Sequence, residues 1–371
     1  MNKSHGICYN IAESVETINF FILLRGRTMK IADFQRVVDK EKKSVECFLC
    51  AHNCLIHEGG RGICKVRENR DGVLYSLVYG KLISQNIDPI EKKPLFHFLP
   101  GSLSYSIATV GCNFRCSHCQ NYDISQYPRL HEGAIIGNDS TPAQVVNAAQ
   151  EYGCQSISYT YVEPTIFFEF AYECAQLAHE RGIKNVFVSN GYTSPEATRK
   201  FAPYLDGNNI DLKAFTDKFY RDVCKAKLAP VLNTIRLMKE LGVWVEVTTL
   251  VIPGWNDSDN ELREIAQFIK GIDPHMPWHV TRFHPTYKMT DRGATPAATL
   301  QRAREIGIAE GLRYVFIGNI PGEEGENTVC PRCRETVIAR RGFTIVSLNL
   351  EEGKCGTCGE PIHGIFPTSQ P

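Results

Sequence analysis

The chain has no surplus of either charge. Over 371 residues, 41 Lys and Arg stand against 41 Asp and Glu, and the sequence pI is ≈ 7.1. Such a balance supplies no electrostatic footprint for nucleic acid or for an anionic membrane. Long apolar runs are missing too. The stretch from Ile18 to Leu24 is far too short to span a bilayer. It follows Glu13 and Glu16 rather than a basic run and lacks a small-residue cleavage site, so no secretory signal is expected. Met29 comes soon after it. Residues 1–28 receive no function, within an N-terminal extension taken as 1–35.

Cysteine is the reverse case. There are fifteen, an odd number, gathered at short spacings instead of spread as pairs. That usage predicts metal sites in a reducing compartment, and so a cytoplasmic protein, rather than a disulfide framework.

The densest group is Cys112-Asn113-Phe114-Arg115-Cys116-Ser117-His118-Cys119, a C-x3-C-x2-C loop. Residues 105–110 before it read as a β-strand, so the loop hangs from a strand end. Three thiolates suit three corners of a [4Fe-4S] cubane, whereas a closed cluster takes four. The fourth iron is then free for an outside ligand. The competing reading is a zinc-binding turn, but zinc sites more often present paired C-x2-C knuckles.

Two further cysteine groups flank this loop. Cys47, Cys50, Cys54 and Cys64 lie in a loop-rich cap, expected over 36–100, with His52 and His57 among them. Four thiolates suit zinc or a second iron–sulfur cluster, and ligand softness does not separate the two. Cys330-x2-Cys333 and Cys355-x2-Cys358 form two knuckles around β-like residues 344–346. They predict a zinc-ribbon-like module over 326–365, with a rubredoxin-like iron site as the alternative. Its role is expected to be structural, because so small a segment folds poorly without a staple; substrate or partner docking is the other use. Residues 322–326 read as the linker. Cys8, Cys154, Cys174 and Cys224 read as isolated thiols.

Between these groups, strand and helix patterns alternate. Strands are expected at 156–161, 186–189, 209–212, 243–251, 279–283 and 314–317. Helices are expected at 141–152, 165–181, from Pro195, up to Leu241, and at 258–270 and 297–310, with Thr141 as an N-cap and Pro142 behind it. Repeated βα units mean parallel strands, and sites in such folds gather at strand C-termini. Polar residues recur there: Glu163, Ser189, Asn190, Asp211 and Lys213. The Pro- and charge-rich segment Asp88 to Phe98 reads as a loop leading into the cysteine strand. Its Lys92 and His97 are candidates for substrate contact, although such residues are ordinarily solvated.

The C-x3-C-x2-C loop after a strand resembles the signature of radical S-adenosylmethionine (SAM) enzymes. The resemblance implies a partial (β/α)6 TIM-type barrel over 101–320, within an α/β chain carrying the Cys-rich cap and the zinc-ribbon-like tail. It implies that Cys112, Cys116 and Cys119 hold a [4Fe-4S] cluster whose open iron binds SAM, and that His118 borders the adenine. Tyr161-Val162-Glu163-Pro164 resembles the Gly-Gly-Glu-Pro motif that helps hold the SAM amine, with only Glu-Pro matching. Ser189-Asn190-Gly191 resembles the ribose and carboxylate contact. Asp211-Leu212-Lys213 resembles the Asp-Leu-Lys of glycyl-radical activases, and residues 250–257 sit where an adenine-contacting loop would be.

The closer resemblance spans most of 47–360, through Cys47 to Cys54, Asp88 to Phe98, Gly111 to Asn121, Thr160 to Thr165, Arg282 to Lys288 and Ile317 to Asn319. It is to the radical SAM member of the AmmeMemoRadiSam system, a relative of pyruvate formate-lyase activating enzymes. This implies an external one-electron donor and Memo-type and AMMECR-type proteins as partners. The expected activity is reductive SAM cleavage followed by hydrogen abstraction from a substrate, a partner protein being one candidate. The alternative is a non-catalytic iron–sulfur or zinc sensor or adaptor.

Overall fold

The computed structural model describes residues 29–320 and 324–366. Cys8, the apolar stretch 18–24, most of the 1–35 extension and part of the 322–326 linker lie outside the described residues.

Eight strands form the central sheet: β1 (Ser84–Pro89), β2 (Leu103–Ala108), β3 (Ser156–Tyr159), β4 (Lys184–Ser189), β5 (Gly207–Asp211), β6 (Trp244–Val251), β7 (Trp278–Arg282) and β8 (Val315–Gly318). They pair in chain order, parallel from β2 to β8, with β1 antiparallel at the edge. Six helices fill the intervals: α1 (Pro142–Glu151), α2 (Phe168–Glu180), α3 (Pro195–Phe201), α4 (Leu228–Glu240), α5 (Asp259–Ile272) and α6 (Ala297–Ala309). Six βα units are therefore followed by one more parallel strand. Among the described residues no pairing joins β1 to β8, so the sheet keeps two edges.

Local chemistry starts the helices where the sequence says. The Thr141 hydroxyl accepts from Gln144 N, and the Gln144 side chain accepts from Thr141 N, a reciprocal cap with Pro142 behind it. Ser194 and Ser258 cap α3 and α5 one way only, each hydroxyl accepting from the backbone N–H three residues on, at Ala197 and Glu261.

The segment 88–98 departs from expectation. It is neither a solvated loop nor the end of a cap: it supplies the last residues of β1, a 3-10 turn (Ile90–Lys92) and then the floor of the sheet. Glu91, Lys93, Leu95, His97 and Phe98 are all buried. A Cβ on Gly207, the first residue of β5, would lie 3.1 Å from the Phe98 ring. Asn209 Nδ2 donates to Pro94 O at 2.7 Å, and Glu246 accepts from the Phe96 and His97 N–H groups at 3.0 and 2.8 Å. These contacts run from the start of β5 to its middle and into the first residues of β6, below the strand ends that carry the candidate site.

The tail packs beneath this floor. Strands Thr328–Val329, Thr336–Arg341 and Thr344–Leu348 form a small antiparallel sheet, followed by the hairpin Leu350–Glu351/Lys354–Cys355. Arg340 donates to Phe96 O at 2.6 Å and stacks on its ring. His97 donates from Nδ1 to His363 O at 2.7 Å and accepts at Nε2 from Thr328 at 3.0 Å. His97 is thus a bolt between floor and tail, not a substrate contact. Lys92 pairs with Asp88 at 2.7 Å.

The cap begins with two three-stranded antiparallel sheets. One pairs Gln35–Asp39, Ser44–Cys47 and Cys54–Ile56, and the other Lys30–Ile31, Val73–Ser76 and Arg67–Arg70. Among the described residues no helix is long and apolar enough to cross a membrane.

Candidate functional site

The cysteine loop starts where β2 runs out. Gly111 turns it with φ +98°, and a Cβ there would sit 2.5 Å from Val66 Cγ1 and 3.0 Å from Cys64 O. Only glycine satisfies both the angle and the space. Beyond it Phe114 N donates to Cys112 Sγ at 3.4 Å, Cys119 N to Cys116 O at 3.3 Å, and Cys119 Sγ meets Ser125 Oγ at 3.2 Å. The loop is pinned from outside as well. Arg115 N and Ser117 N donate to Cys224 O and Val223 O at 3.0 and 3.1 Å, and Lys288 N donates to Ser117 O at 2.9 Å.

Cys116 is buried, and Cys112 and Cys119 are half-buried. Burial pushes the Cys112 and Cys119 thiols up. A contact with Cys224, and then burial, does the same for Cys116. Thiols so placed are poor acids alone and good soft ligands once a metal displaces their protons. Three such donors on one short loop fit a cluster with three protein ligands.

Around the loop lies the polar layer. Both Glu163 oxygens are engaged: Oε1 accepts from Thr165 Oγ1 and Ser189 Oγ at 2.6 and 2.9 Å, and Oε2 from Asn190 N at 2.7 Å. Burial raises its pKa against those donors. Glu163 therefore ties the end of β3 to the end of β4. Asn190 in turn donates to Asn113 Oδ1 at 2.8 Å, inside the cysteine loop. Lys213 Nζ bonds Asp211 Oδ2 at 2.8 Å. Burial opposes the Lys213 charge, but Asp211, Cys116 and Cys224 together hold its pKa well above the ordinary lysine value. His118 is buried against Phe219, with Nδ1 unpartnered. Burial, with Lys213 nearby, lowers its pKa to about 3, so the ring is neutral.

Several neighbours lie outside the expected site residues. Asn113 is buried and joins Asn190 to the Tyr192 carbonyl. Asn256 donates to Lys213 O at 2.6 Å and Leu250 O at 2.9 Å, lacing the ends of β5 and β6. Cys224, expected to be isolated, is held beside Cys116 by the loop contacts at Arg115 and Ser117. Tyr161 stands where the motif has glycine and adopts φ +64°, the left-handed backbone that glycine takes freely. Its hydroxyl donates to Asp88, and Lys93 Nζ lies 4.7 Å from its ring centroid. Lys93 is buried and bonds Asp88 at 2.6 Å; burial lowers its pKa to about 8 although Asp88 opposes the fall.

The tail cysteines form a separate group. The sulfurs of Cys330, Cys333, Cys355 and Cys358 all lie within 4.8 Å of one another, with Cys330–Cys358 at 3.6 Å and Cys333–Cys355 at 3.7 Å. Zn–S bonds of about 2.3 Å in a tetrahedron put sulfurs about 3.8 Å apart, so the set fits one zinc-sized ion.

Comparison with known proteins agrees with this geometry. The Radical SAM superfamily profile matches residues 106–269, which hold the cysteine loop and β3 to β6. An uncharacterized protein of Methanocaldococcus jannaschii is 48% identical over 337 residues, covering 90% of this chain and 99% of the relative. A putative glycyl-radical enzyme activating enzyme of the same organism is 25% identical over 182 residues, covering 48% of this chain and 66% of its own length. The pyruvate formate-lyase 1-activating enzyme of Escherichia coli K12 is 21% identical over 226 residues, covering 56% of this chain and 89% of its own length. With a matching cysteine loop at the end of β2 and activating enzymes among its relatives, the chain belongs to the radical SAM superfamily.

Proposed function

We propose that this protein cleaves SAM reductively and uses the resulting radical to abstract hydrogen from a partner protein, in the manner of an activating enzyme. The observation that carries the reading is one loop with three thiols at the C-terminal end of a parallel sheet, facing Ser189, Asn190, Asp211 and Lys213. Cys112, Cys116 and Cys119 would hold a [4Fe-4S] cluster, which would supply the single electron that reductive cleavage of SAM requires.

The chain's own residues hold and orient. Ser189 and Asn190, carried to the end of β4 beside the cysteine loop, are the candidates for the ribose and carboxylate contact of SAM. Lys213, kept charged beside Asp211, offsets the negative charge of three thiolates. Neutral, buried His118 offers a flat apolar face to the adenine. Glu163 has both oxygens committed to Thr165, Ser189 and Asn190, so its part is to fix the strand ends that meet SAM. Zinc in the tail is structural, since that module sits under the floor at the opposite end of the strands. An external one-electron donor is required, and Memo-type and AMMECR-type proteins are the partner candidates. The division into cap, barrel and tail follows the same reading, with 84–100 moved from the cap to the barrel.

Anaerobic reconstitution tests this. Dithionite and SAM should give 5′-deoxyadenosine with the parent protein and none with Cys116→Ala. No product from either protein would favour a non-catalytic metal module. A partner labelled with deuterium at glycine should pass the label into deoxyadenosine.

A further inference from the structure

We infer that Cys47, Cys50, Cys54 and Cys64 hold a second, closed [4Fe-4S] cluster, not zinc, back to back with the SAM-cluster loop. Its placement rests on the function proposed above; its existence does not.

The fold brings the four thiols to one place. Cys47 and Cys54 face each other across paired strands Ser44–Cys47 and Cys54–Ile56. Cys50 lies in the turn joining those strands. The glycine-rich turn then returns the chain so closely that a Cβ on Gly62 would meet Cys54 Sγ at 3.7 Å, two residues before Cys64. Each thiol lies within electrostatic reach of the other three.

Their spacing separates the two metals that the sequence leaves open. Among the described residues, the tail cysteines alone bring three or more candidate ligand atoms within 4.8 Å of one another. No three of the cap sulfurs lie within 4.8 Å of one another. One zinc needs sulfurs about 3.8 Å apart. A cubane needs them farther apart, because each thiolate ends on a different iron. Within one chain, the tail has the compact set and the cap the open one.

The surroundings suit an anionic group. Arg67 is 1% exposed, and its guanidinium lies 3.5 Å from Cys47 Sγ with Glu169 as counter-ion. Its Nε has no hydrogen-bond partner. A buried cation among thiols favours their ionised, metal-bound form.

The two cysteine groups also share scaffolding. Cys64 O abuts Gly111, the residue before Cys112. Arg129 Nη2 donates both to Ile63 O and, at 3.0 Å, to Cys112 O. His52 Nε2 donates to Asn113 O at 2.8 Å, on the other side of Cys112. With four protein thiolates the cap cluster would have no open iron for SAM, and the chemistry it would supply is to hold or pass one electron.

Iron, sulfide and zinc are measured on anaerobically reconstituted protein, in the parent and in the triple variant Cys112→Ala/Cys116→Ala/Cys119→Ala. About eight irons and one zinc are expected in the parent, and about half the iron with the same zinc in the variant. The parent's electron paramagnetic resonance spectrum, after dithionite, should hold two interacting signals, of which SAM perturbs one. Two zincs with about four irons in the parent, or a single SAM-responsive signal, would overturn the inference without reliance on the variant's folding. Failure of the SAM-loop reading looks different: iron undiminished in the triple variant, with no SAM response in the parent.

Discussion

At the scale of single residues, two buried groups near the cluster loop make opposite predictions. Asn113→Ala strips a partner from both Asn190 Nδ2 and the Tyr192 carbonyl, each buried. Leaving such groups unpaired costs about 1–3 kcal/mol apiece. The variant should lose stability in a urea titration of the reconstituted protein and should bind SAM more weakly. Unchanged values of both would remove Asn113 from the site. Cys224→Ala should be mild. If Cys224 only packs against Cys116, iron content and deoxyadenosine yield should stay within about twofold of the parent. Loss of both, as in Cys116→Ala, would make the Cys224 contact a requirement for cluster assembly at Cys116.

These residues also show where sequence reading stops. The three loop cysteines are legible because a spacing names their chemistry. Asn113 and Asn256 act through buried hydrogen bonds to distant backbone, which no spacing records. Cys224 looks isolated because its contact is formed by tertiary packing, more than a hundred residues from Cys116. Tyr161 hides differently: its left-handed backbone does a glycine's work while its side chain reaches Asp88.

At the scale of elements, the β2-to-loop junction is the most constrained. Gly111→Ala adds a methyl in a left-handed turn against Val66 and the Cys64 backbone. Backbone strain and overpacking each cost about 1–3 kcal/mol. The variant should melt lower and take up less iron at both neighbouring cysteine groups; a parent-like melt would mean that the junction yields. The strands and helices themselves are legible because their apolar periodicity and caps are local, as the Thr141–Gln144 box shows. Segment 88–98 is not. Its charges and prolines spell loop, yet Glu246, Asn209 and Arg340 reach it from elsewhere and satisfy its polar groups in the interior. Burial of Lys93 and His97 follows from those partners and not from composition.

At the scale of the whole molecule, the tail and the candidate site lie at opposite ends of the strands. Burial pushes His97 down to about 4, against the pull of Glu246. Between the ordinary histidine pKa of about 6.5 and that value, the unfolded chain takes up a proton that the folded chain refuses. This contribution is therefore full above pH 6.5 and is lost as pH falls toward 4, by about 3 kcal/mol at most. His97→Gln should flatten that part of the stability–pH curve, and an unchanged slope would place the titration elsewhere. Removing metal from the tail by chelation, or with Cys333→Ser, should lower the melting temperature by several degrees. Deoxyadenosine formation by the surviving folded fraction should hold near the parent rate. Equal loss of both would tie the tail to the chemistry.

The tail's position also governs how a tethered guest would behave. A six-residue strand is about 20 Å long, while a flexible ten-residue leash spans only ~17 Å on average. A candidate protein fused to the C-terminus on so short a leash would hang below the floor. It would have to be released, or given a leash several times longer, before its glycine could arrive at the cysteine loop.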